Sequence, residues 1–83
     1  MNVTVFSKTQ TYCAKCNWTK SALTKKGIPF TEKALEEQPE EWLEELRSQG
    51  MLAAPVVRVE YESGGVIEWC DFRPDLIEKL EAK

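Results

Sequence analysis

The apolar positions of this chain change period from segment to segment. Residues 2–7 carry Val3, Val5 and Phe6 in a short β-branched run, which predicts a strand. Residues 14–26 are amphipathic and predict a helix. Gly27 stands one residue past that helix, where a glycine C-cap belongs, and Ile28 is placed to touch Leu23 one turn back. Residues 30–35 predict a second strand. A second helix is expected from Pro39, whose fixed φ suits a first helical position. Glu40 and Glu41 then fall in the first turn, where the helix dipole favours acids. Trp42, Leu43 and Leu46 form its buried face, and Glu44 and Glu45 are solvated charge. Gly50 ends this helix, and Met51 repeats the part of Ile28 by facing Leu46. Residues 56–61 and 66–69 predict two strands, and Glu62-Ser63-Gly64-Gly65 between them is a hairpin turn signal. Asp71 is expected to cap a last helix through about residue 81, with Pro74 tolerated in its first turn and Phe72, Leu76 and Leu80 as its inner stripe.

The element order is therefore β-α-β-α-β-β-α. A strand–helix–strand unit joins parallel strands, and a tight hairpin joins antiparallel ones. An α/β fold follows, with a mixed four-stranded sheet and helices on both faces. Residues 1–83 are expected to form a single domain. A domain of this size has a thin core, to which three Trp and three Phe add large apolar area.

Chemistry concentrates at Tyr12-Cys13-Ala14-Lys15-Cys16, a C-x-x-C at a strand-to-helix junction. That context suggests a thiol–disulfide redox site. The spacing lets two sulfurs on one helical turn close a small disulfide ring. Partial positive charge at the helix N-terminus favours a thiolate at Cys13, and neighbouring Lys15 adds to it. One sulfur can then attack while the other resolves. Two other readings remain open. Structural zinc sites use four Cys or His ligands; with three Cys and no His, one chain cannot complete such a site, but a cluster shared between chains could use the pair. The two cysteines could also be buried and inert.

Charge is uneven along the chain. Residues 1–33 hold six Lys and one acid, a balance of +5, and the rest hold five basic and thirteen acidic groups, a balance of −8, which together give the net −3. The bland account is solvated helix faces of opposite sign. The functional account is a basic collar near the thiols that steers acidic partners. The acidic total and the lack of aromatics among the lysines speak against nucleic acid. No apolar run reaches membrane-spanning length, and residues 1–5 lack the basic and apolar parts of a signal peptide. Three cysteines in that setting suggest functional thiols in a reducing, cytoplasmic compartment.

Four segments together resemble the NrdH-redoxins, small glutaredoxin-like proteins with thioredoxin-like behaviour. They are Phe6-Ser7-Lys8 ahead of the C-x-x-C, the pair Cys13 and Cys16 itself, Ala54-Pro55-Val56-Val57, and Trp69 followed by Phe72-Arg73-Pro74-Asp75. The resemblance runs almost the whole length, and the W-x-x-F-R-P segment is its most specific part. It implies a thioredoxin-like fold with a cis peptide before Pro55, and an Ala54 backbone that offers strand-like hydrogen bonds to an incoming polypeptide. It implies Cys13 as nucleophile and Cys16 as resolving thiol, with partner contacts at Tyr12, Ala14, Lys15, Ala54, Pro55 and Trp69. It implies a monomeric electron carrier that needs no metal or organic cofactor. Thioredoxin reductase would supply electrons, and a class Ib ribonucleotide reductase would receive them. The alternatives are a glutathione-dependent glutaredoxin, a chain-bridging iron–sulfur or metal carrier, and a docking module without turnover. The sequence has no C-P-Y-C and no clear T-V-P followed by G-G-x-x-D, the glutaredoxin grip on glutathione. It departs from the NrdH-redoxin pattern at three places. Lys8 stands five residues before Cys13, a longer spacing than usual. Ala14-Lys15 replaces an apolar residue and Gln. Cys70-Asp71 replaces Ser-Gly and adds a third thiol, expected to be a small buried hydrophobe dispensable for electron transfer.

Overall fold

In the computed structural model, which describes residues 1–51 and 53–80, the sheet has the order β2-β1-β3-β4. The strands are β1 (Asn2–Ser7), β2 (Thr31–Ala34), β3 (Val56–Glu60) and β4 (Val66–Cys70). The helices are α1 (Ala14–Lys25), α2 (Glu40–Ser48) and α3 (Pro74–Glu78), and a 3-10 turn, Leu35–Glu37, precedes α2. β1 pairs parallel with β2 and antiparallel with β3, and β3 pairs antiparallel with β4. The mixed sheet and the element order are those expected from the period of the sequence.

Alternation along the central strands supplies both faces of the sheet with apolar side chains. Val3, Val5, Val57, Val59 and Trp69 meet Leu23 of α1 and Ile77 of α3 in one buried cluster. Phe6 and Val56 point to the opposite face and bury Leu46 of α2, with Trp42, Leu43, Met51 and Cys70 packed around them. The Phe6 and Trp42 rings lie 4.7 Å apart, centre to centre. Helices therefore cover both faces, α1 and α3 on one and α2 on the other.

Both long helices end in the same way. Gly27 and Gly50 take φ of +72° and +80°. The Ile28 N–H then donates back to the Leu23 carbonyl at 3.0 Å, and the Met51 N–H to the Leu46 carbonyl at 2.9 Å. These are the longer bonds of two Schellman motifs; the shorter ones run from Gly27 to Thr24 and from Gly50 to Arg47.

Four local expectations shift. β2 is two residues shorter than residues 30–35: Phe30 lies ahead of it, and Leu35 already begins the 3-10 turn. Pro39 is the cap rather than the first residue of α2: its backbone is extended, and its carbonyl accepts from the Trp42 and Leu43 N–H groups. β3 stops at Glu60, and β4 runs on to Cys70, which pairs with Val56. The last helix changes most. It is confined to Pro74–Glu78, with Arg73 rather than Asp71 at the cap position. Asp71 is unavailable as a cap because it forms the turn itself, at φ +73°. Pro74 takes the first helical position, where its missing N–H leaves no bond unmade. Ile77, only 1% exposed, is the buried anchor of α3, with Leu80 behind it just past the helix. Phe72 and Leu76 are partly buried against the same cluster. The expected extension to residue 81 lies outside the described residues.

Candidate active site

Cys13 is the N-cap residue of α1, with extended backbone at φ −131°. A side chain at that position faces the free N–H groups of the first turn. Here the acceptor is sulfur: the Cys16 N–H donates to Cys13 Sγ at 3.2 Å, and the Asn17 N–H donates to the Cys13 carbonyl at 3.2 Å. Cys13 and Cys16 form a disulfide, with Cα atoms 5.3 Å apart. The two sulfurs are not equivalent in access. Cys13 is partly exposed, and Cys16 is 2% exposed beneath it.

The other sequence-expected positions distribute around this pair. Tyr12 stands out from the surface at 83% exposure. Ala14 is half-buried in the first turn of α1, and Lys15 is exposed there. The Ala54–Pro55 peptide is cis, and both residues are buried at the entrance to β3. Trp69 does not reach the surface: it is 5% exposed in the α1–α3 cluster, and its Nε1 finds no acceptor among the described residues. Cys70, the free thiol, is partly buried on the other face of the sheet, beside Val56 and Leu46.

Two features were not legible beforehand. Asp71 joins the pieces of the site. Its N–H donates to the Pro55 carbonyl at 2.9 Å, and its carboxylate accepts from the Phe72 N–H at 2.7 Å and pairs with Lys15 Nζ at 3.0 Å. These contacts, the Lys15 bond first, hold the Asp71 carboxyl below its ordinary range. The second is Trp18, one turn along α1 from Ala14 and 53% exposed. It packs edge-to-face on Phe72, with ring centres 5.8 Å apart. The signal for Trp18 was a large aromatic off the Cys16–Thr19–Leu23 face that this amphipathic helix buries.

The long loop before Cys13 has its own anchor. Glu36, on the 3-10 turn, accepts from the Thr9 N–H at 3.0 Å and the Gln10 N–H at 3.0 Å. Hydrogen bonds from Gln10, its own backbone and Thr9 hold its carboxyl at about 2. Lys8, at the start of that loop, lines a groove of about 290 Å³ with Leu43, Leu46, Met51, Ala53 and Ala54. Among the described residues, no three His, Cys, Asp or Glu converge to hold a metal ion, and no helix is long and apolar enough to cross a membrane.

A four-stranded mixed sheet with a C-x-x-C disulfide capping a helix, tied through Asp71 to a cis-proline loop, defines a dithiol redoxin of the thioredoxin fold. Residues 3–63 match the glutaredoxin family. The glutaredoxin-like protein NrdH of Escherichia coli K12 is 34% identical over 80 residues, spanning 96% of this chain and 89% of that one. Its counterpart in Salmonella typhimurium is 32% identical over the same span. The solved structure of NrdH-redoxin from Escherichia coli, a glutaredoxin-like protein described by its thioredoxin-like activity profile, superposes with a TM-score of 0.76 at 31% identity, over all of this chain and 99% of that one. The chain belongs to the glutaredoxin family and, within it, to the NrdH-redoxins.

Proposed function

We propose that this redoxin carries electrons from thioredoxin reductase to a class Ib ribonucleotide reductase in the cytoplasm, acting as a monomer. The observation that carries the reading is the unequal access of the two sulfurs: Cys13 at the surface, Cys16 2% exposed below it. In the reduced protein the Cys13 thiolate attacks one sulfur of a target disulfide. The target S–S bond breaks, its leaving thiolate takes a proton, and a mixed disulfide forms. The Cys16 thiolate then attacks Cys13, which releases the second target thiol and closes the Cys13–Cys16 bond. Two electrons have moved to the target, and the reductase returns two from NADPH.

Docking uses the rim of the dithiol. Tyr12, Ala14 and Lys15 supply one side, and the Ala54–Pro55 loop the other. No hydrogen bond among the described residues occupies the Ala54 N–H or carbonyl, so an extended target segment can pair with it as an added strand. Trp69 supports this rim from the core rather than touching a partner. The glutathione reading is the weaker one, since Lys15 is engaged by Asp71 and the glutaredoxin grip sequence is missing. The test couples the protein to a disulfide reporter, with either NADPH and thioredoxin reductase or millimolar glutathione and its reductase. Turnover with thioredoxin reductase should be at least tenfold faster at equal redoxin concentration. Faster turnover with glutathione would overturn the assignment of the electron source.

A further inference from the structure

Two of the three places where this sequence departs from the NrdH-redoxin pattern touch each other. Lys15 lies between the two cysteines, and Asp71 lies 56 positions later in the turn between β4 and α3. Lys15 Nζ and Asp71 Oδ1 are 3.0 Å apart. The left-handed backbone of Asp71 aims its carboxylate at Lys15 while its N–H holds the Pro55 carbonyl. The ion pair is partly exposed on both sides and so adds little to stability. Its place beside the nucleophile gives it another use.

We propose that Asp71 is a positioning residue for the dithiol: it holds the Lys15 ammonium and offsets its charge, leaving Cys13 to ionise under the helix N-terminus and the Cys16 N–H. The inference rests on Cys13 being the attacking thiol. The other titratable or charged groups on the surrounding elements are Cys16 and, further along α1, Lys20 and Lys25; Lys8 and Tyr12 on the preceding loop, with Glu36 bound to its backbone; and Cys70, Arg73 and Asp75 around Asp71; Ala53, Ala54 and Pro55 bring none. Arg73 is engaged by Asp75 at 2.9 Å. Asp71 is therefore the acid that decides whether a full positive charge stands next to the C-x-x-C turn.

The experiment measures the pH at which Cys13 becomes half-reactive in the reduced protein, by alkylation resolved to the labelled peptide. The parent is compared with Asp71→Asn, Lys15→Gln and the double variant. Asn tolerates a left-handed backbone, and its side-chain oxygen can still accept from Phe72. Asp71→Gly, which takes positive φ freely, serves as a second removal of the carboxylate. Loss of the carboxylate frees Lys15 and should lower the half-reactive pH by about half a unit, the scale of one nearby unit charge in a mostly aqueous setting. Lys15→Gln leaves the carboxylate unpaired and should raise it by a similar amount. The double variant should return close to the parent. An architectural role alone would not give shifts of opposite sign that cancel. Equal half-reactive pH in all five proteins, or shifts of one sign on losing Asp71 and on losing Lys15, would overturn the inference. Labelling of Cys16 ahead of Cys13 in the parent would instead overturn the assignment of the nucleophile on which it rests.

Discussion

At the scale of single residues, the site depends on two sulfurs that share one helical turn but not one environment. Cys13 caps α1 and accepts the Cys16 N–H, and Cys16 is buried under it. A thiolate at position 16 would be desolvated, which disfavours its charged form. The proposed route therefore gives attack to Cys13 and resolution to Cys16. Cys13→Ser should abolish reduction of insulin disulfides. Cys16→Ser should stall after the first attack and accumulate a mixed disulfide, visible as an added target mass on non-reducing mass spectrometry. A Cys16→Ser protein that turns over at the parent rate would refute the dithiol route. Cys70 points to the α2 face, beside Leu46 and Val56, so Cys70→Ser should leave turnover within about threefold, with a small stability loss from the buried hydroxyl. The place of the C-x-x-C at a helix start was legible in the sequence because its spacing and the helix that follows are local. The place of Asp71 was not. Its expected duty as a helix cap was the local reading of an acid before a proline, whereas its partners Lys15 and Pro55 come from distant segments.

At the scale of elements, helix ends were legible and loop anchors were not. A glycine followed by an apolar residue marks a Schellman end from a few adjacent residues, and both α1 and α2 end so. At Gly27 an added Cβ would meet nothing within 4 Å. The cost of Gly27→Ala is then the left-handed backbone itself, about 1–2 kcal/mol, to be read from urea unfolding with an unchanged slope. The loop before Cys13 is held by Glu36, on a 3-10 turn that no periodicity announced, across 27 positions to Thr9. A carboxyl lowered from 4.5 to about 2 in the folded state contributes fully above pH 4.5, and the contribution fades as pH falls towards 2. The Thr9 and Gln10 amide resonances should therefore titrate with a midpoint near 2. A midpoint near the ordinary 4.5 would show that Glu36 does not hold the loop. At neutral pH, Glu36→Gln should speed amide exchange at both positions several-fold, since a charge-assisted acceptor is replaced by a neutral one.

At the scale of the whole molecule, the charge asymmetry along the chain carries over to the surface only in part. The sequence places six Lys against one acid in residues 1–33, which allowed either a basic collar or ordinary solvated faces. Folding brings acids from later segments onto two of those lysines: Lys15 meets Asp71, and Lys26 approaches Glu78 at 4.0 Å. Lys20 meets Glu32, the one acid of the same segment, at 2.8 Å. The alternation of strands and helices was enough to give an α/β sheet with helices on both faces, because each element reports its own period. Which charges would neutralise one another depended on the packing of α1 against α3 and on the β4–α3 turn, neither of which a period encodes. The consequence is kinetic. Exposed charges steer association only when their field survives close pairing, and salt then weakens the rate steeply. With these three lysines engaged, reduction of this protein by thioredoxin reductase should depend weakly on ionic strength. Between about 50 and 300 mM salt, kcat/KM should fall by less than about threefold, judged against the much steeper losses of strongly steered pairs. A fall beyond tenfold would show that a basic collar does steer the partner, and Lys8, Lys25 and Lys33 would be the first residues to neutralise in locating it.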